Sequence, residues 1–297
     1  MSRAILVTGA SGYIGRHLVR HLKNKGERVI GFSRYEKPQG MEDVEWRCGD
    51  VTLIDSLEKV TVGCDVVVHL ACSSLKYSLS DPLYDFRVNA SGTLNMLEVS
   101  RRCGVKKFIY TSTAQVYGSK AKLPMKESEP VFPDTPYAAS KLSGEIYCKT
   151  YSSCFGLNTV ILRLFNVYGS DISSITRDTV ESIFINRVKR GLSLVVKDIT
   201  ESRDFIHISD VVYAICLAMD SDVDGETINI GTGEETTIYR LAEMIKNIAN
   251  SDVDIVVEGK LDNPIRMQAD IEKAKKLLKF CPKVSLYEGL LGMINQS

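Results

Sequence analysis

Tyr137 and Lys141 stand four residues apart in Thr135-Pro136-Tyr137-Ala-Ala-Ser-Lys141, and this spacing can do chemistry. Thr135 suits a helix N-cap and Pro136 the first helical position, where its missing N–H costs nothing. A helix begun there puts Tyr137 and Lys141 on one face, within reach of each other. An ammonium beside a phenol favours the phenolate. Such a tyrosine can take a proton from a substrate hydroxyl and return it near neutral pH. The same two residues elsewhere would be a solvated surface pair, so the surrounding chain has to decide between the readings.

The N-terminus supplies a second candidate. Ala4-Ile-Leu-Val7 is a β-branched apolar run, followed by Thr8-Gly9-Ala-Ser-Gly12-Tyr13-Ile14-Gly15 and a helical pattern to about Lys25-Gly26. Strand, glycine-rich turn and helix come in the order a dinucleotide site requires. Gly9 permits the tight turn, Gly12 lets the backbone approach a pyrophosphate, and Gly15 brings helix and strand close. The helix N-terminus then faces the negative charge. Arg28-Val-Ile-Gly-Phe32 is the next strand, ending in Ser33-Arg34. An acidic residue about twenty positions past the glycines would bind a ribose 2′-hydroxyl, and Ser33 takes that place. Arg34 can pair with a 2′-phosphate, stack on adenine or point to solvent, so the cofactor is NAD or NADP, with a lean to NADP.

The remaining elements must position these groups. Val44–Arg47 reads as a third strand, followed by Gly49-Asp50-Val51. Asp65-Val-Val-Val-His69-Leu70-Ala71 is apolar almost throughout, as buried parallel strands are, and His69 within it reads as a satisfied core histidine. Asp81-Pro82 opens a helix with Leu83, Phe86, Ala90, Leu94 and Leu97 on one face, closed by Gly104. Phe108–Tyr110 delivers Thr111-Ser112-Thr113 to a strand's C-terminal end, where ligands bind in doubly wound sheets. Thr159–Leu164 is another buried strand. The alternation predicts an α/β fold, a parallel sheet wound on both faces. Beyond residue 170 the pattern changes: residues 171–178 read as a polar loop. Shorter elements follow at Leu192–Val196, Phe205–Ile208, Thr227–Ile230 and Ile238 to about Ala249. The expected division is a dinucleotide-binding domain over 1–170 and a smaller α/β substrate domain over 171–297, with segments crossing back.

Composition narrows the partners. At 297 residues the chain can hold a large α/β domain and a smaller one, or two comparable ones. Lys+Arg and Asp+Glu are both 37, so no global field favours nucleic acid or an anionic membrane. Eight cysteines show no C-x-x-C and no metal-like clustering with the four histidines; buried free thiols and no metal site are expected. With no signal peptide and no apolar run of membrane length, a cytoplasmic protein is expected.

Together these residues resemble the extended short-chain dehydrogenase/reductases, specifically the NAD-dependent epimerase/dehydratase group acting on nucleotide sugars. The resemblance rests on TGASGYIG, GDV at 49, HLA at 69, Thr-Ser-Thr-Ala-Gln-Val-Tyr-Gly at 111 and YAASK. It continues in Arg163-Leu-Phe-Asn166-Val-Tyr-Gly169, Arg203-Asp-Phe-Ile-His207 and Asn229-Ile-Gly-Thr-Gly233. It implies a Rossmann-type sheet, Tyr137 as acid/base, and Lys141 binding the nicotinamide ribose while lowering the Tyr137 pKa. It implies Thr113 as the active-site hydroxyl on the sugar. Asp50 and Val51 would contact adenine, while Leu70, Ala71 and Asn89 would line or support the cofactor site. Asn166 and Arg203 would contact a nucleotide-diphosphate sugar, Arg203 at the diphosphate. A homodimer is also implied, through the helices near 81–103 and 136–154.

The chain departs from the pattern in three places. Ala114-Gln115 stands where the 4,6-dehydratases carry Asp-Glu, and the decarboxylases also favour a Glu there, which argues against both chemistries. Ser33 replaces the ribose-binding acid. Lys260-Leu-Asp-Asn263-Pro264 replaces an Arg-x-Gly-Asp pattern that grips the nucleotide. The reading favoured is a UDP-hexose 4-epimerase-like enzyme. An NADPH-dependent reductase of a nucleotide-bound 4-keto-deoxysugar is the alternative, and a catalytically silent scaffold or sensor the alternative of another class.

Overall fold

Five apolar segments, the partly exposed edge strand Glu45–Cys48 and one late strand form a single seven-stranded parallel sheet. They are β1 (Ala4–Thr8), β2 (Arg28–Ser33), β3 (Glu45–Cys48), β4 (Val66–His69), β5 (Lys107–Thr113), β6 (Thr159–Leu164) and the strand Glu226–Ile230. The computed structural model describes residues 3–170 and 179–296, so the loop expected over 171–178 lies outside the described residues. The order across the sheet is Glu226–Ile230, β6, β5, β4, β1, β2, β3. Chain order reverses between β1 and β4, and the crevice beyond the carboxyl ends of those two strands is where such a sheet takes a ligand. Helices cover both faces, the Rossmann-type doubly wound arrangement. Each face buries its own apolar layer, with Ile5, Val7, Val68 and Leu162 on one side and Leu6, Val67, Phe108 and Ile161 on the other.

A separate core forms where the later helices Val180–Lys189, Ile238–Ile248 and Leu286–Gln296 pack, around Phe184, Leu241, Ile245 and Leu290. Among the described residues no helix is long and apolar enough to cross a membrane, and no three His, Cys, Asp or Glu side chains are grouped to hold a metal ion.

Two expectations need correction. The helix opened by Asp81 is not continuous: Pro82–Phe86 runs into a π-helical turn at Arg87–Ser91, and α-helix resumes over Gly92–Arg102. The wider turn breaks the regular i, i+3/i+4 progression on which a single apolar face depends. Leu83 and Phe86 are therefore 75% and 55% exposed while Ala90 and Leu97 are buried. The cysteines also divide differently. All eight are free, but only Cys64, Cys148 and Cys216 are buried, while Cys48, Cys72, Cys154 and Cys281 are exposed.

Candidate active site

A cavity of about 480 Å³ opens at the carboxyl ends of the central strands. Its floor begins at the glycine turn. Gly9 has φ +66°, and a Cβ there would come within 2.7 Å of the Ala71 backbone at the end of β4. A Cβ at Gly15 would fall 2.3 Å from the Gly9 carbonyl, so only glycine lets the helix Tyr13–Asn24 sit this close to the turn. That helix has Gly12 at its N-cap, with no side-chain cap and no acidic residue in its first turn. Backbone N–H groups and the positive end of the helix dipole are thus left for an anion such as a pyrophosphate. Gly12, Tyr13 and Ile14 line the cavity with Gly9 and Gly15, and the Tyr13 hydroxyl donates to the Gly169 carbonyl at 3.0 Å.

The far end is built by β2 and the turn after β3. Ser33 lines it with its hydroxyl shared with Ser11 (2.5 Å) and accepting from the Tyr35 amide. Arg34 also lines it, hydrogen-bonded to the Tyr84 hydroxyl, with its guanidinium carbon 5.6 Å from the ring centroids of both Tyr35 and Tyr84. Asp50 is fixed by its own turn, accepting the Thr52 amide at 2.9 Å, and Val51 packs beneath Gly92. Leu70 and Ala71 complete the wall; the Ala71 amide donates to the Thr8 hydroxyl at 3.2 Å. These residues fit a dinucleotide: a glycine cradle that any Cβ would fill, an open helix N-terminus and a cation stacked between rings.

The reactive end is set by the helix Pro136–Phe155. Thr135 caps it, accepting the Ala138 amide at 3.2 Å, and Pro136 lies in its first turn. Tyr137 and Lys141 then reach the cavity together with Thr113 from the end of β5 and Asn166 beyond β6. Lys141 is buried with its ammonium 4.2 Å from the centre of the Tyr110 ring, a cation–π contact. The helix is anchored one turn on by Glu145, which meets the Arg163 guanidinium at 2.7 Å in a fully buried pair and accepts the Ser112 hydroxyl at 2.5 Å.

One electrostatic expectation is not met. In the protein alone, burial pushes the Tyr137 hydroxyl far above its usual range, with the Cys72 and Asp85 charges adding to it. Burial also lowers Lys141, against the opposing charges of Cys72, Cys148, Glu145 and Asp85. Desolvation disfavours both charged forms. His69, by contrast, is the satisfied core histidine expected. The Thr93 hydroxyl donates to the Asn89 carbonyl at 2.6 Å, so it accepts from His69 Nε2, leaving Nδ1 to accept from Thr8 at 2.8 Å.

Two expected residues stand apart from the cavity. Asn89 is fully buried behind its wall, accepting the Ser73 amide at 2.7 Å and donating to Asp85 at 2.8 Å and Ser140 at 3.1 Å. Arg203 is held by Glu201 at 2.6 Å and by the Ser202 and Ile265 carbonyls, so its guanidinium is taken up by its own segment and by the distant Ile265. Residues that sequence spacing did not single out include Cys72, Phe165, Thr179 and Met267, all on the cavity wall. Phe165 adjoins Asn166 and was within reach of a sequence argument; Met267 arrives through the packing of Ala269 and Ile271 on Val116 and Tyr117, which no local pattern reveals.

Known proteins match this arrangement over the whole chain. The model of the NAD dependent epimerase/dehydratase family matches residues 5–231. UDP-glucuronic acid decarboxylase 6 of Arabidopsis thaliana is 36% identical over 303 residues, spanning 96% of this chain and 86% of the relative. UDP-glucose 4-epimerase of Mycolicibacterium smegmatis is 32% identical over 300 residues, spanning 96% and 95%. Among solved structures, UDP-glucose 4-epimerase of Thermotoga maritima with UDP-glucose is 34% identical, with a TM-score of 0.91 and 98% and 97% of the two chains covered. A glycine-cradled dinucleotide crevice that ends in a Thr–Tyr–Lys set, on a fold matched from end to end, makes this chain a member of the NAD-dependent epimerase/dehydratase family.

Proposed function

We propose that the protein is a UDP-hexose 4-epimerase that uses NAD. The observation carrying this reading is the convergence of Thr113, Tyr137, Lys141 and Asn166 at one end of a cavity whose other end fits a dinucleotide. The similar epimerase with UDP-glucose supports the substrate class. Residues 1–170, completed by the returning strand Glu226–Ile230, form the cofactor half in this reading, and the remainder closes over the sugar nucleotide.

NAD held by the glycine cradle at Gly9, Gly12 and Gly15 would supply a reversible hydride acceptor. In its oxidised form the cofactor would also carry a positive charge into the site, which would work against the burial that holds Tyr137 protonated. As phenolate, Tyr137 takes the C4 hydroxyl proton while the C4 hydride leaves, giving a 4-keto sugar. Thr113 hydrogen-bonds the same oxygen, and Lys141 holds the ribose and steadies the phenolate. Rotation of the keto sugar presents its other face, the hydride returns, and Tyr137 gives the proton back. Gln115 lines this end, and an amide serves neither as acid nor as base, which speaks for epimerisation over dehydration or decarboxylation. Arg34 in the cavity is the one observation that favours the NADPH-dependent reductase instead.

The test is product analysis with NAD and UDP-glucose carrying deuterium at C4. Epimerisation yields UDP-galactose with the label still at C4 and no net NADH. Consumption of NADPH on a 4-keto substrate, with no interconversion of C4 epimers, would overturn it in favour of the reductase. The exposed apolar residues Leu83 and Phe86 on one helix and Ile146 and Phe155 on the other support a homodimer through those helices, on the scale of a two-fold helical interface.

A further inference from the structure

Asp85 is a buried carboxylate that the reaction described above does not use. It is 1% exposed, in the short helix Pro82–Phe86, with Phe86 between it and the π-helical turn that begins at Arg87. Its two oxygens are held separately: Oδ1 accepts from Asn89 Nδ2 at 2.8 Å and Oδ2 from the Ser140 hydroxyl at 2.6 Å. The Ser140 hydroxyl also lies 3.0 Å from the Tyr137 carbonyl, so the carboxylate is tied to the turn of helix that carries Tyr137 and Lys141. Asn89 in turn fixes the loop after β4 through the Ser73 amide. Three segments thus converge on one carboxylate whose hydrogen-bond donors are neutral.

A buried carboxylate is costly without a nearby cation. Burial raises Asp85 above the usual carboxylate range, against the Ser140 hydroxyl and the Lys141 charge, and Asp85 joins Cys72, Cys148 and Glu145 in favouring the Lys141 ammonium. The other titratable groups facing this centre are Tyr137 on the same helix, Cys72 from the loop after β4, and Glu145 and Cys148 one and two turns further along. Glu145 is already paired with Arg163. From the helix Leu75–Ser80, Lys76 and Tyr77 are exposed, as are Asp81 and Arg87 on the flanks of Asp85 itself.

We propose that Asp85 is a positioning residue for the reaction: through Ser140 its carboxylate holds the helix turn that carries Tyr137 and Lys141, and its buried charge helps set the pH at which Tyr137 exchanges its proton. The sign follows from charge alone. A fixed anion stabilises the ammonium and opposes the phenolate, so it moves both ionisations to higher pH. Removing it moves both to lower pH while leaving every atom that touches substrate in place. The inference rests on Tyr137 being the acid/base of the proposed epimerase.

Asp85→Asn is the direct test, in the protein loaded with NAD. The amide can donate to Ser140, which still reaches the Tyr137 carbonyl, while its oxygen still accepts from Asn89. Both limbs of the pH profile of kcat should move down by on the order of one unit, the effect of one nearby charge. Asp85→Ser is a second neutral variant and should shift the same way; Asp85→Glu keeps the charge and should leave the profile where it is, whatever it costs in turnover. A second readout needs no substrate: the ultraviolet absorbance of the Tyr137 phenolate, taken as the difference from the matching Tyr137→Phe protein, should titrate lower in the neutral variants. That separates the two readings, because a failure of the epimerase assignment leaves the spectroscopic shift intact. If both neutral variants lose turnover evenly at every pH and the phenolate titration does not move, Asp85 is a structural residue only.

Discussion

Arg34 lies at the far end of the cavity, bonded to Tyr84 and flanked by two rings, and Ser33 beside it spends its hydroxyl on Ser11 and the Tyr35 amide. Neither side chain offers a carboxylate to a ribose 2′-hydroxyl. Replacing Ser33 with Asp and Arg34 with Asn supplies that acceptor and removes the cation. The ratio of NAD to NADP affinity should rise by on the order of tenfold or more, the scale of one charge-assisted contact. Titration of each cofactor by calorimetry checks it, and an unmoved ratio would remove Arg34 from the discrimination. At this scale the site was legible where chemistry is written in local spacing. Tyr137 and Lys141 share a helix face, and Gly9 to Gly15 make one turn. It was illegible where a partner comes from afar. Arg203 meets Glu201 and the Ile265 carbonyl, and Asp85 gains its meaning only from Ser140, fifty-five positions along.

Strands were the easiest elements to read, because a parallel strand buried on both faces is an apolar run whatever its neighbours. The helix after Asp81 is not legible in its true form because a π-helical turn breaks the apolar period, and nothing in Arg87–Ser91 announces it. His69 shows what burial in β4 does to a titratable group. It is fully enclosed, with both ring nitrogens satisfied by threonine hydroxyls, and burial pushes it down to about 3. The unfolded chain accepts a proton at this residue below about pH 6.5 and the folded protein does not, so acid favours unfolding. His69 should cost about 1.4 kcal/mol of stability for each pH unit once well below that value. Urea unfolding of the wild type and of His69→Gln, each near pH 6.5 and near pH 4.5, should show the wild type losing roughly 2 kcal/mol more than the variant. Equal losses would mean that His69 is protonated within the fold.

For the whole molecule, a second core forms around Leu241 and Leu290, and the strand Glu226–Ile230 returns to the sheet edge beside β6. The outer faces of the helices Pro82–Phe86 and Pro136–Phe155 keep Leu83, Phe86, Ile146 and Phe155 exposed. Sedimentation at micromolar concentration should give a dimer, and Phe86→Glu with Ile146→Glu should give a monomer; a wild type that sediments only as monomer would contradict this. The central claim is that the chain converges on Tyr137 to move one proton while a hydride leaves and returns. Its most direct measurement is turnover of UDP-glucose by Tyr137→Phe with NAD, beside Thr113→Ser and the wild type. The account predicts a fall of ~10²–10⁴ for Tyr137→Phe with cofactor binding kept, and almost none for Thr113→Ser. Near-full turnover by Tyr137→Phe would contradict it.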